Sequence, residues 1–440
     1  MIYFLFSLSL LMLSPSMQAR DKIAEGKTKI IWTHDQDAQL VVVESKNDIT
    51  AGNKARHDIM SGKAELANLT ACNVFRLLQT CGIPVAFKEQ IDANKFLAPR
   101  CDMIHLEVIA RRAAHGSYEK RNPIMKKDHY LPRLEVEFFL KTSDCVWEGQ
   151  NIPVDDPLMQ FKDGKVYLYL PNVPVSAQKP FMVLDKFPLS DNLVLYNTID
   201  EIARRTFLIL EKAWQLVGGR LVDFKIEFGF DRQGNLLLAD VIDNDSWRVI
   251  YDDNYIDKQV YRDGGSLDKV ITLYQRVADL TSQFRIPNQQ IILWRGSEKD
   301  DLQMFKQAFE PFVGYGCTLQ EVTKSAHKEP VACYLQAHKL VQQKADSVII
   351  AYIGASNAAG PMLSANVSVP VITVPADKQQ LSQDVWSSLR MPSNSLVMTV
   401  LDPRNALLAG LQILSMRNPV LYSLLRYEQE KRFVNVVPLS

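Results

Sequence analysis

The last third of the chain alternates short apolar runs with amphipathic stretches, and this rhythm is the strongest constraint on its fold. The apolar runs are "QIILW", "SVIIAYIG", "PVITVP" and "VMTVL". Between them lie stretches of helical spacing, "DLQMFKQAFEPF", "VACYLQAHKLVQQK" and "NALLAGLQIL". Apolar strands joined by helices form a parallel sheet that is covered on both faces. We therefore expect a three-layer α/β domain, with its ligand site at the carboxyl ends of the strands.

The pattern of strands and helices changes near Ile286, where "RIPNQQ" is typical of a linker. Upstream, strand-like alternation in "KTKIIW", "LVVVES" and "LVDFKIEFGF" is mixed with a helical "AELANLTACNVFRLLQTCG", which indicates an α+β domain. A chain of 440 residues with 47% hydrophobic content can fill two cores. We predict one domain over residues 21–285 and a second over residues 286–440.

Charge and cysteine content exclude several classes of protein. Fifty basic and fifty acidic residues give a net charge of zero, so no overall field favours nucleic acid or an anionic membrane. The six cysteines include no CxxC pair, which argues against a zinc site or a disulfide framework. Free thiols suit a reducing compartment, so the sequence favours a cytoplasmic protein.

Residues 1–20 form an apolar segment about as long as a signal-peptide core. The segment has no basic start and a poor cleavage site, and it is too short to span a membrane. We expect a non-native or alternative start here and keep a secretory signal as the less favoured alternative.

A dense acidic stretch, "ADVIDNDSWR", follows the alternating segment "LVDFKIEFGFD". A period of two places Val222 and Phe224 on a core face together with Ile226, Phe228 and Phe230, and it places Asp223, Lys225 and Glu227 on the other face. A hairpin over "DRQGN" that pairs Asp231 with Leu236 would set Glu227 opposite Asp240.

Two carboxylates opposed across a strand pair repel each other unless a cation lies between them. Mg²⁺ accepts one or two carboxylates and completes its shell with water and nucleotide phosphates, and Lys225 would then reach a phosphate. The early segment "EGKTKIIW" adds Lys27 and Lys29 after Gly26 and supports a nucleotide site. The alternative for both features is a solvated strand face or edge.

Several motifs carry a family resemblance that covers the chain from about Ile23 to nearly its end. "EGKTKIIW", "DITAGNKAR", "CDMIHLEVIARRAAHGSYEKRNP", "LVDFKIEFGFD", "LADVIDNDSWR" and "KQVYRD" resemble phosphoribosylaminoimidazole-succinocarboxamide (SAICAR) synthetase. "GSEKD", "EVTKSAHKEP", "IGASNAAGPMLSANVSVPVI" and "QDVWSSLRMP" resemble phosphoribosylaminoimidazole (AIR) carboxylase. The chain thus resembles the fused bifunctional enzyme of animal purine biosynthesis. This resemblance implies an α+β, ATP-grasp-like first domain with antiparallel sheets, followed by a flavodoxin-like α/β domain.

For the first domain, the resemblance implies ATP-dependent ligation of aspartate to carboxyaminoimidazole ribotide, with Mg²⁺ as the metal. Lys27, Lys29 and Lys225 would bind ATP, and Glu227 and Asp240 would hold the metal. Lys225, Asp243 and Arg248 would act in catalysis. The residues that would bind substrates are Arg111, Ser117, Asp243, Asp245, Ser246, Arg248 and Arg262.

For the second domain, the resemblance implies carboxylation of aminoimidazole ribotide with carbon dioxide, without biotin or metal. His327 and Lys328 would be catalytic, since histidine is the natural proton shuttle near neutral pH. The residues that would bind the ribotide, its phosphate or carbon dioxide are Gly296, Ser297, Asp300, Ser356 and Asn357. The family also implies a homo-oligomer assembled through this domain.

The sequence departs from the family pattern at several positions. His115 replaces a threonine, and the acidic loop is lengthened to "KTSDCVWEGQNIPVDDP". Lys299 replaces a serine, Ala355 an arginine, and Ala358 and Ala365 replace glycines, where a methyl group would forbid positive φ or close backbone approach. Two alternatives to the bifunctional enzyme therefore stay open: a synthetase with an inactive carboxylase domain, and a non-catalytic nucleotide-binding scaffold.

Overall fold

The computed structural model describes residues 21–51, 56–142, 145–185, 193–376 and 385–432. The apolar segment 1–20 lies outside these ranges, so its interpretation stays a prediction. Within the ranges given, no helix combines the length and the apolar character needed to cross a bilayer.

The first domain is built from strands β1 to β20 and helices α1 to α5, with a 3-10 turn at Val175–Ala177. The bounds of the strands are β1 Lys22–Glu25, β2 Lys29–Thr33, β3 Leu40–Ser45, β4 Asp48–Ala51, β5 Arg56–Ile59, β6 Glu89–Asp92, β7 Lys95–Pro99, β8 Cys101–Met103, β9 Leu106–Ala113, β10 Tyr130–Leu140, β11 Val146–Trp147, β12 Gln150–Asn151, β13 Leu158–Lys162, β14 Lys165–Tyr169, β15 Met182–Leu184, β16 Gly219–Ile226, β17 Phe228–Asp231, β18 Leu236–Leu238, β19 Trp247–Tyr251 and β20 Asn254–Tyr255. The bounds of the helices are α1 Lys63–Thr80, α2 Ser117–Arg121, α3 Val194–Leu216, α4 Gln259–Arg262 and α5 Leu267–Thr281.

The sheets of the first domain are antiparallel. The largest has the strand order β15-β14-β13-β10-β9-β16-β19-β20, and a five-stranded sheet has the order β1-β2-β3-β7-β6. A three-stranded sheet, β18-β17-β8, lies at the end of β16. The predicted α+β fold with antiparallel sheets is therefore confirmed.

Helices α1 and α3 fill the core of the first domain. In α1, Ala67, Ala71, Val74 and Leu78 recur at intervals of three or four residues, so they form one buried stripe. The long helix α3 packs on β16, and its Phe207 ring stacks on Phe224 with 5.2 Å between centroids. Both sheets and both helices thus share one core.

Strand β9 crosses the middle of the eight-stranded sheet and presents different chemistry on its two faces. Val108 and Ala110 are fully buried in the main core. Because successive side chains alternate, Glu107 and Arg111 point to the opposite face. This second face carries the candidate site described below.

The second domain follows the predicted βαβ rhythm, with a 3-10 turn at Glu310–Phe312. Its elements are β21 Gln289–Arg295, α6 Gln303–Phe309, β22 Cys317–Thr323, α7 Pro330–Gln343, β23 Ser347–Ile353, α8 Ala359–Asn366, β24 Val371–Pro375, α9 Trp386–Leu389, β25 Met398–Thr399, α10 Pro403–Ser415 and α11 Pro419–Lys431. The strands are parallel in the order β22-β21-β23-β24-β25. One face packs on Phe305 of α6 and Leu411 of α10, and the other on Ala337 of α7 and Leu363 of α8. The predicted parallel-sheet, flavodoxin-like domain is confirmed.

The expected hairpin register between "LVDFKIEFGFD" and "LLLAD" is wrong by one residue. Leu236 pairs with Phe230 rather than with Asp231, and the amide of Ala239 donates to the carbonyl oxygen of Glu227 at 3.0 Å. Glu227 also lies between β16 and β17, which belong to different sheets, so the segment is not one continuous strand. The two carboxylates are therefore not directly opposite, and the change of sheet at Glu227 is what brings them near each other.

Val222 is a second departure from the period of two. The pairing of β16 with β19 shifts by one residue between Leu221 and Asp223, so Val222 is the extra residue of a β-bulge. Its side chain packs with Ala113 and Ile250 in a small separate cluster, whereas Leu221 enters the main core. The bulge lets Asp223 face the site.

The last helix, α11, connects the two cores. Asn418 caps it by accepting from the amides of Val420 and Leu421, and Pro419 occupies the first turn. Val420 is buried in the core of the first domain, and the next residue, Leu421, in the core of the second. The helix therefore packs against both domains.

A pair of glycine-to-alanine substitutions tests the packing of the two domains. A methyl group at Gly219 would lie 2.6 Å from Cε3 of Trp214, a fully buried side chain, so we expect G219A to lower the free energy of unfolding by about 1–3 kcal/mol. At Gly410, inside α10, the nearest atom would be 3.5 Å away, so we expect G410A to raise it by roughly 0.5–1 kcal/mol. Urea unfolding measures both values. A G219A variant as stable as the wild type would contradict this packing.

Candidate active sites

A row of charged residues crosses the central strands of the eight-stranded sheet. Asp223 on β16 pairs with Arg111 on β9 and with Arg248 on β19. One oxygen of Asp223, Oδ2, accepts from Nη1 of Arg111 at 2.7 Å and from Nη1 of Arg248 at 2.5 Å. Asp223 and Arg111 are buried. A single buried carboxylate thus orients two guanidinium groups toward one face of the sheet.

Further contacts fix the guanidinium of Arg111. Its Nε donates to Oε2 of Glu137 at 2.8 Å, and its Nη2 donates to Oγ of Ser117 at 3.2 Å. Burial alone would lower the pKa of Arg111, but Glu137 and Asp223 outweigh burial and raise it. The structure therefore brings together the predicted substrate residues Arg111, Ser117 and Arg248.

Arg262 joins this group through Gln259. Oε1 of Gln259 accepts from Nε of Arg248 at 3.3 Å and from Nη1 of Arg262 at 3.3 Å. Arg262 ends the short helix α4 and is exposed to solvent. Hydrogen bonds through Asp223 and Gln259 consequently connect three arginines, and such a group suits a ligand that carries phosphate and carboxylate groups.

The loop "DNDS" between β18 and β19 is held together by its own hydrogen bonds. Oδ1 of Asp243 accepts from the amide of Asp245 at 2.9 Å. Oγ of Ser246 accepts from the amide of Asp243 at 2.8 Å and donates to its carbonyl oxygen at 3.0 Å. The Ser246 hydroxyl therefore has a role inside the loop, and its predicted contact with substrate stays a prediction.

Asp245 is held by protein groups that the sequence analysis did not identify. Its oxygens accept from Nζ of Lys63 at 3.1 Å, Nζ of Lys258 at 3.3 Å and the hydroxyl of Tyr274 at 3.0 Å. Lys63 is only 1% exposed. Burial would raise the pKa of Asp245, but Lys63 and Lys258 outweigh it and lower the pKa. These contacts give Asp245 a structural role, and its predicted contact with substrate stays a prediction.

Asp243 behaves in the opposite way from Asp245. Burial and the neighbouring charge of Asp245 raise the pKa of Asp243 to about 6, although Lys29 and Lys63 act against the shift. The nearby lysine charges therefore do not fully offset the cost of ionising this buried carboxylate. Such a group is a candidate for contact with a cationic substrate group.

Lysines surround the two carboxylates that were predicted to hold a metal ion. Lys29 forms an ion pair with Asp240, and Nζ of Lys141 lies 2.5 Å from Oε2 of Glu227. Lys225 lies between its two acidic neighbours, with Nζ 3.3 Å from Oε1 of Glu227 and 2.5 Å from Oε1 of Glu107. Lysine charge thus balances both carboxylates.

Lys225 also shows that Glu227 and Asp240 belong to one cluster. Burial would lower the pKa of Lys225, but Glu107, Glu227 and Asp240 outweigh burial and raise it. Lys27, in contrast, lies in the exposed turn before β2 rather than on the strand itself. The lysine-rich cluster is defined here as Lys29, Lys141, Lys225, Glu227 and Asp240.

The two carboxylates of the lysine-rich cluster suit Mg²⁺ better than a metal ion whose ligands must all be protein side chains. Over the part of the chain that the structure describes, no three histidine, cysteine, aspartate or glutamate side chains are grouped to hold a metal ion. A Mg²⁺ ion would therefore receive Glu227 and Asp240 from the protein and complete its shell with phosphates and water. Glu227 is buried and Asp240 is half-buried, and each is paired with a lysine ammonium group that a bound cation would replace.

Sequence reasoning missed Lys63, Glu107 and Lys141. Glu107 precedes Arg111 by four residues on β9, so the alternation of this strand was a signal that both share a face. Lys141 follows β10 directly, inside the lengthened loop. Lys63 begins α1 and contacts Asp245, which lies 182 positions later in the sequence, so no local sequence signal predicts this contact.

The second candidate site lies at the carboxyl edge of the parallel sheet. The segments Gly296–Asp300, Ser325–Glu329 and Gly354–Ala358 follow β21, β22 and β23 respectively. The parallel pairing of these strands brings the three segments to one edge. The predicted residues Gly296, Ser297, Asp300, His327, Lys328, Ser356 and Asn357 are thereby brought to one region.

His327 bridges two of these segments. Its Nε2 lies 3.2 Å from the carbonyl oxygen of Ser356. A carbonyl oxygen only accepts, so this contact needs the proton on Nε2, and in that neutral tautomer Nδ1 carries the lone pair. His327 and Lys328 are both exposed to solvent, so a ligand bound at this edge of the sheet can reach them.

Asn357 and Asp300 fix the loops around His327. Oδ1 of Asn357 accepts from the amide of Gly360 at 2.8 Å, and its Nδ2 donates to Oγ of Ser388 at 3.0 Å. Oδ2 of Asp300 accepts from the amide of Ser297 at 3.2 Å, and burial raises the pKa of Asp300. The motif "QDVWSSLR" thus contributes Ser388 to this site.

The alanines that replace family glycines do not strain the backbone. Ala358 has a φ of −91°, and Ala365 lies inside α8, so neither needs a positive φ. Ala355 does have a positive φ of 53°, but the family residue there is arginine, which is also an L-residue with a side chain. The expectation that alanine disturbs the backbone at Ala358 and Ala365 through positive φ is therefore wrong.

Comparisons with known proteins match both parts of the chain. The family model described as SAICAR synthetase matches residues 22–155 and 190–280, and the AIR carboxylase model matches residues 290–433. The "Probable multifunctional protein ADE2" of Caenorhabditis elegans is 34% identical over 94% of each chain. The human "Bifunctional phosphoribosylaminoimidazole carboxylase/phosphoribosylaminoimidazole succinocarboxamide synthetase" is 33% identical over 92% of each chain. A "Phosphoribosylaminoimidazole-succinocarboxamide synthase" of Chloroflexus aurantiacus is 37% identical over 60% of this chain and 96% of its own.

Asparagine substitutions at Asp245 and Asp243 should change stability in opposite directions. D245N leaves the buried Lys63 without its charge partner, so we expect the free energy of unfolding to fall by about 3–5 kcal/mol. D243N removes a poorly compensated charge, so we expect an equal or higher free energy of unfolding at pH 7.5.

The pH dependence supplies the control for this pair. The pKa of Asp243 is raised in the folded state, so ionisation opposes folding above pH 6 and ceases to do so as the pH falls toward 4. The advantage of D243N over the wild type should therefore shrink between pH 7.5 and pH 5 in urea unfolding. A D243N variant less stable than D245N would contradict the arrangement.

Proposed function

The chain belongs to the SAICAR synthetase and AIR carboxylase families, fused in one polypeptide, and from this premise we propose that it catalyses both reactions in purine biosynthesis. We propose that the division between the two activities lies near Ile286, a position that falls between residues 190–280 and residues 290–433 of the two family matches. The observation that carries the proposal is the charged row Arg111–Asp223–Arg248 beside the lysine-rich cluster. The eight-stranded sheet thus offers a site for an anionic ribotide, and the adjoining lysine-rich cluster offers a site for a nucleotide.

In the synthetase reaction, a carboxylate oxygen of carboxyaminoimidazole ribotide attacks the γ-phosphorus of ATP, and ADP leaves. The amine of aspartate then attacks the acyl phosphate, phosphate departs and an amide forms. Both steps move negative charge between oxygens, so positioning and cationic stabilisation are the main requirements. The site supplies both with arginines and lysines rather than with a nucleophile.

Each residue has a role that its position supports. Lys27, Lys29 and Lys225 would neutralise the ATP phosphates, and Glu227 and Asp240 would bind Mg²⁺, which would screen the charge of those phosphates. Arg111, Ser117, Arg248 and Arg262 would bind the ribotide phosphate and the carboxylates of the two substrates. Asp243, whose charge is poorly compensated, would orient the ammonium group of aspartate.

In the carboxylase reaction, a ring carbon of aminoimidazole ribotide attacks carbon dioxide and then loses its proton. His327 is the base in this proposal, because its Nε2 donates to Ser356 and leaves Nδ1 free to accept a proton. Lys328 and Lys299 are exposed beside it and would bind phosphate or carboxylate. Gly296, Ser297 and Asp300 would hold the ribose phosphate, and Ser356 and Asn357 would contact carbon dioxide.

Two features support retention of the carboxylase function over a synthetase-only enzyme or a scaffold. The similarity to animal bifunctional proteins extends over both domains, 94% of the chain for one of them. The substituted alanines Ala358 and Ala365 also leave an unstrained backbone.

We further propose a cytoplasmic homo-oligomer. Cys72, Cys81, Cys101, Cys317 and Cys333 are free thiols, which suits a reducing compartment. Asn244 begins the glycosylation sequon Asn244-Asp245-Ser246 but is fully buried, so the folded protein does not offer it for glycosylation. The second domain exposes large apolar side chains, including Val331, Leu335 and Trp386. Exposed apolar groups of this size favour self-association through that domain. Light scattering on the purified protein measures the assembly.

Two substitutions in different domains test the bifunctional proposal and serve as controls for each other. E227Q removes a metal ligand, so we expect synthetase turnover to require at least about tenfold more Mg²⁺ while carboxylase turnover is unchanged. H327N removes the proton acceptor, so we expect carboxylase turnover to fall by about 10²–10⁴-fold while synthetase turnover is unchanged.

The two half-reactions are assayed separately on residues 21–440. One assay supplies carboxyaminoimidazole ribotide, ATP, Mg²⁺ and aspartate, and the other supplies aminoimidazole ribotide and bicarbonate. A wild-type protein that turns over only the first mixture would reduce the proposal to a synthetase. A protein that shows no turnover in either assay would contradict the proposal.

A further inference from the structure

Arg112 lies next to the substrate-site residue Arg111 on β9, but its side chain points to the opposite face of the sheet. Its Nε donates to Oε1 of Glu211 on α3 at 2.6 Å, and its Nη2 donates to Oε1 of Glu430 on α11 at 2.7 Å. Arg112 and Glu430 are both only 3% exposed. A buried ion pair therefore joins the strand of the synthetase site to the last helix of the second domain.

The same place in the sheet contains a large bulge in β10. Tyr130 pairs with Ala113, but the next pair on β10 joins Glu135 to Arg111. The four residues 131–134 therefore stand opposite the single residue Arg112. Bulges of this kind interrupt the ladder and redirect the side chains that follow, and they are common beside active sites.

Side chains rather than a neighbouring strand satisfy the backbone of this bulge. Nη1 of Arg112 donates to the carbonyl oxygens of Leu131 at 3.1 Å and Pro132 at 3.3 Å. Oε2 of Glu430 accepts from the amide of Leu134 at 2.9 Å. Nη2 of Arg426, also on α11, donates to the carbonyl oxygen of Pro132 at 2.5 Å. Helix α11 thus supplies two of the groups that hold the bulge in place.

Helix α11 lies within residues 290–433, which the AIR carboxylase model matches, yet it packs on α3 and β10 of the first domain. The hydroxyl of Tyr422 donates to Oε2 of Glu211 at 3.0 Å, and Oγ of Ser423 donates to the carbonyl oxygen of Arg205 at 3.1 Å. Glu430 itself accepts from Nε of Arg426 at 2.8 Å. Several polar side chains therefore form this interface, and Glu430 makes contacts with both of its sides.

The bulge lies directly before the part of β10 that carries Glu137, and Glu137 orients Arg111 on the site face. Glu137 follows Glu135, the residue that pairs with Arg111 on β9, by two positions. One carboxylate oxygen of Glu137 accepts from Nε of Arg111 at 2.8 Å, and the other accepts from Arg121. If the backbone of residues 131–134 relaxes, β10 can slide against β9 and carry Glu137 away from Arg111. A change on the α11 side would then reach the ribotide-binding arginine across the sheet.

We propose that Glu430 is a positioning residue for the synthetase site: by holding the bulge at Leu134, the last helix of the carboxylase domain sets the orientation of Arg111. This inference rests on the proposed synthetase function. It assigns the second domain a role in the reaction of the first that is separate from its own chemistry. The effect should fall on the ribotide that Arg111 binds and not on ATP, which the lysine-rich cluster binds.

The full chain is tested with E430A and E430Q, and E428Q is the matched control. Glu428 lies on the same helix but is 63% exposed and pairs only with Lys431 in the described contacts. We expect E430A to raise the KM for carboxyaminoimidazole ribotide at least about tenfold, with the KM for ATP and the carboxylase turnover changed less than about twofold. E430Q keeps an acceptor for the Leu134 amide, so its effect should be smaller, and E428Q should match the wild type.

Two further measurements separate positioning from stability and from the function itself. Hydrogen exchange should be faster in E430A for the peptide that covers residues 130–140, and calorimetry measures ribotide binding without turnover. A lower melting temperature with unchanged KM and unchanged ribotide affinity would overturn the positioning role. A wild-type chain that binds the ribotide without turning it over would overturn only the proposed synthetase reaction, whereas one that fails to bind it would overturn both.

Discussion

The pairing of β9, β16 and β19 is the constraint on which the synthetase site depends. Their register aligns Arg111, Asp223 and Arg248 in one row, with a buried carboxylate between two guanidinium groups. A slip of one residue in any of these strands would turn a charge into the apolar core, which is far too costly to tolerate. The hydrophobic alternation of the strands and the placement of the proposed substrate-binding arginines thus follow from the same strand register.

The remainder of the first site follows from the need to balance buried charge. Carboxylates at Glu227, Asp240 and Asp245 lie against lysines, and the one at Asp243 does not have equal compensation. A buried ion pair is stable only when its partner and its hydrogen bonds are complete. Our proposal requires Mg²⁺ and phosphates to replace the pairs with Lys141 and Lys29. The pair of Asp245 with Lys63 is different, because Lys63 is only 1% exposed and this pair is structural.

Much of this arrangement could be predicted from the sequence, because its signals are local. The alternation of apolar runs and helices predicted the parallel sheet, and the motifs around Lys225, Glu227 and Asp240 predicted that these charged groups lie close together. The hairpin register was wrong because Glu227 lies where the chain passes from one sheet to another, and a period of two carries no information about such a change. The contacts of Lys63 and Glu430 join residues 182 and 318 positions apart, so only tertiary packing determines them.

The central claim is that Glu227 and Asp240 exchange their lysine partners for a metal ion when nucleotide binds. A crystal structure of the full chain with a non-hydrolysable ATP analogue and Mn²⁺ in place of Mg²⁺ tests it most directly, because anomalous scattering locates the ion. We expect a manganese peak within coordination distance of both carboxylates, with Lys141 withdrawn from Glu227. Nucleotide bound with manganese elsewhere, or with Lys141 still paired to Glu227, would contradict it.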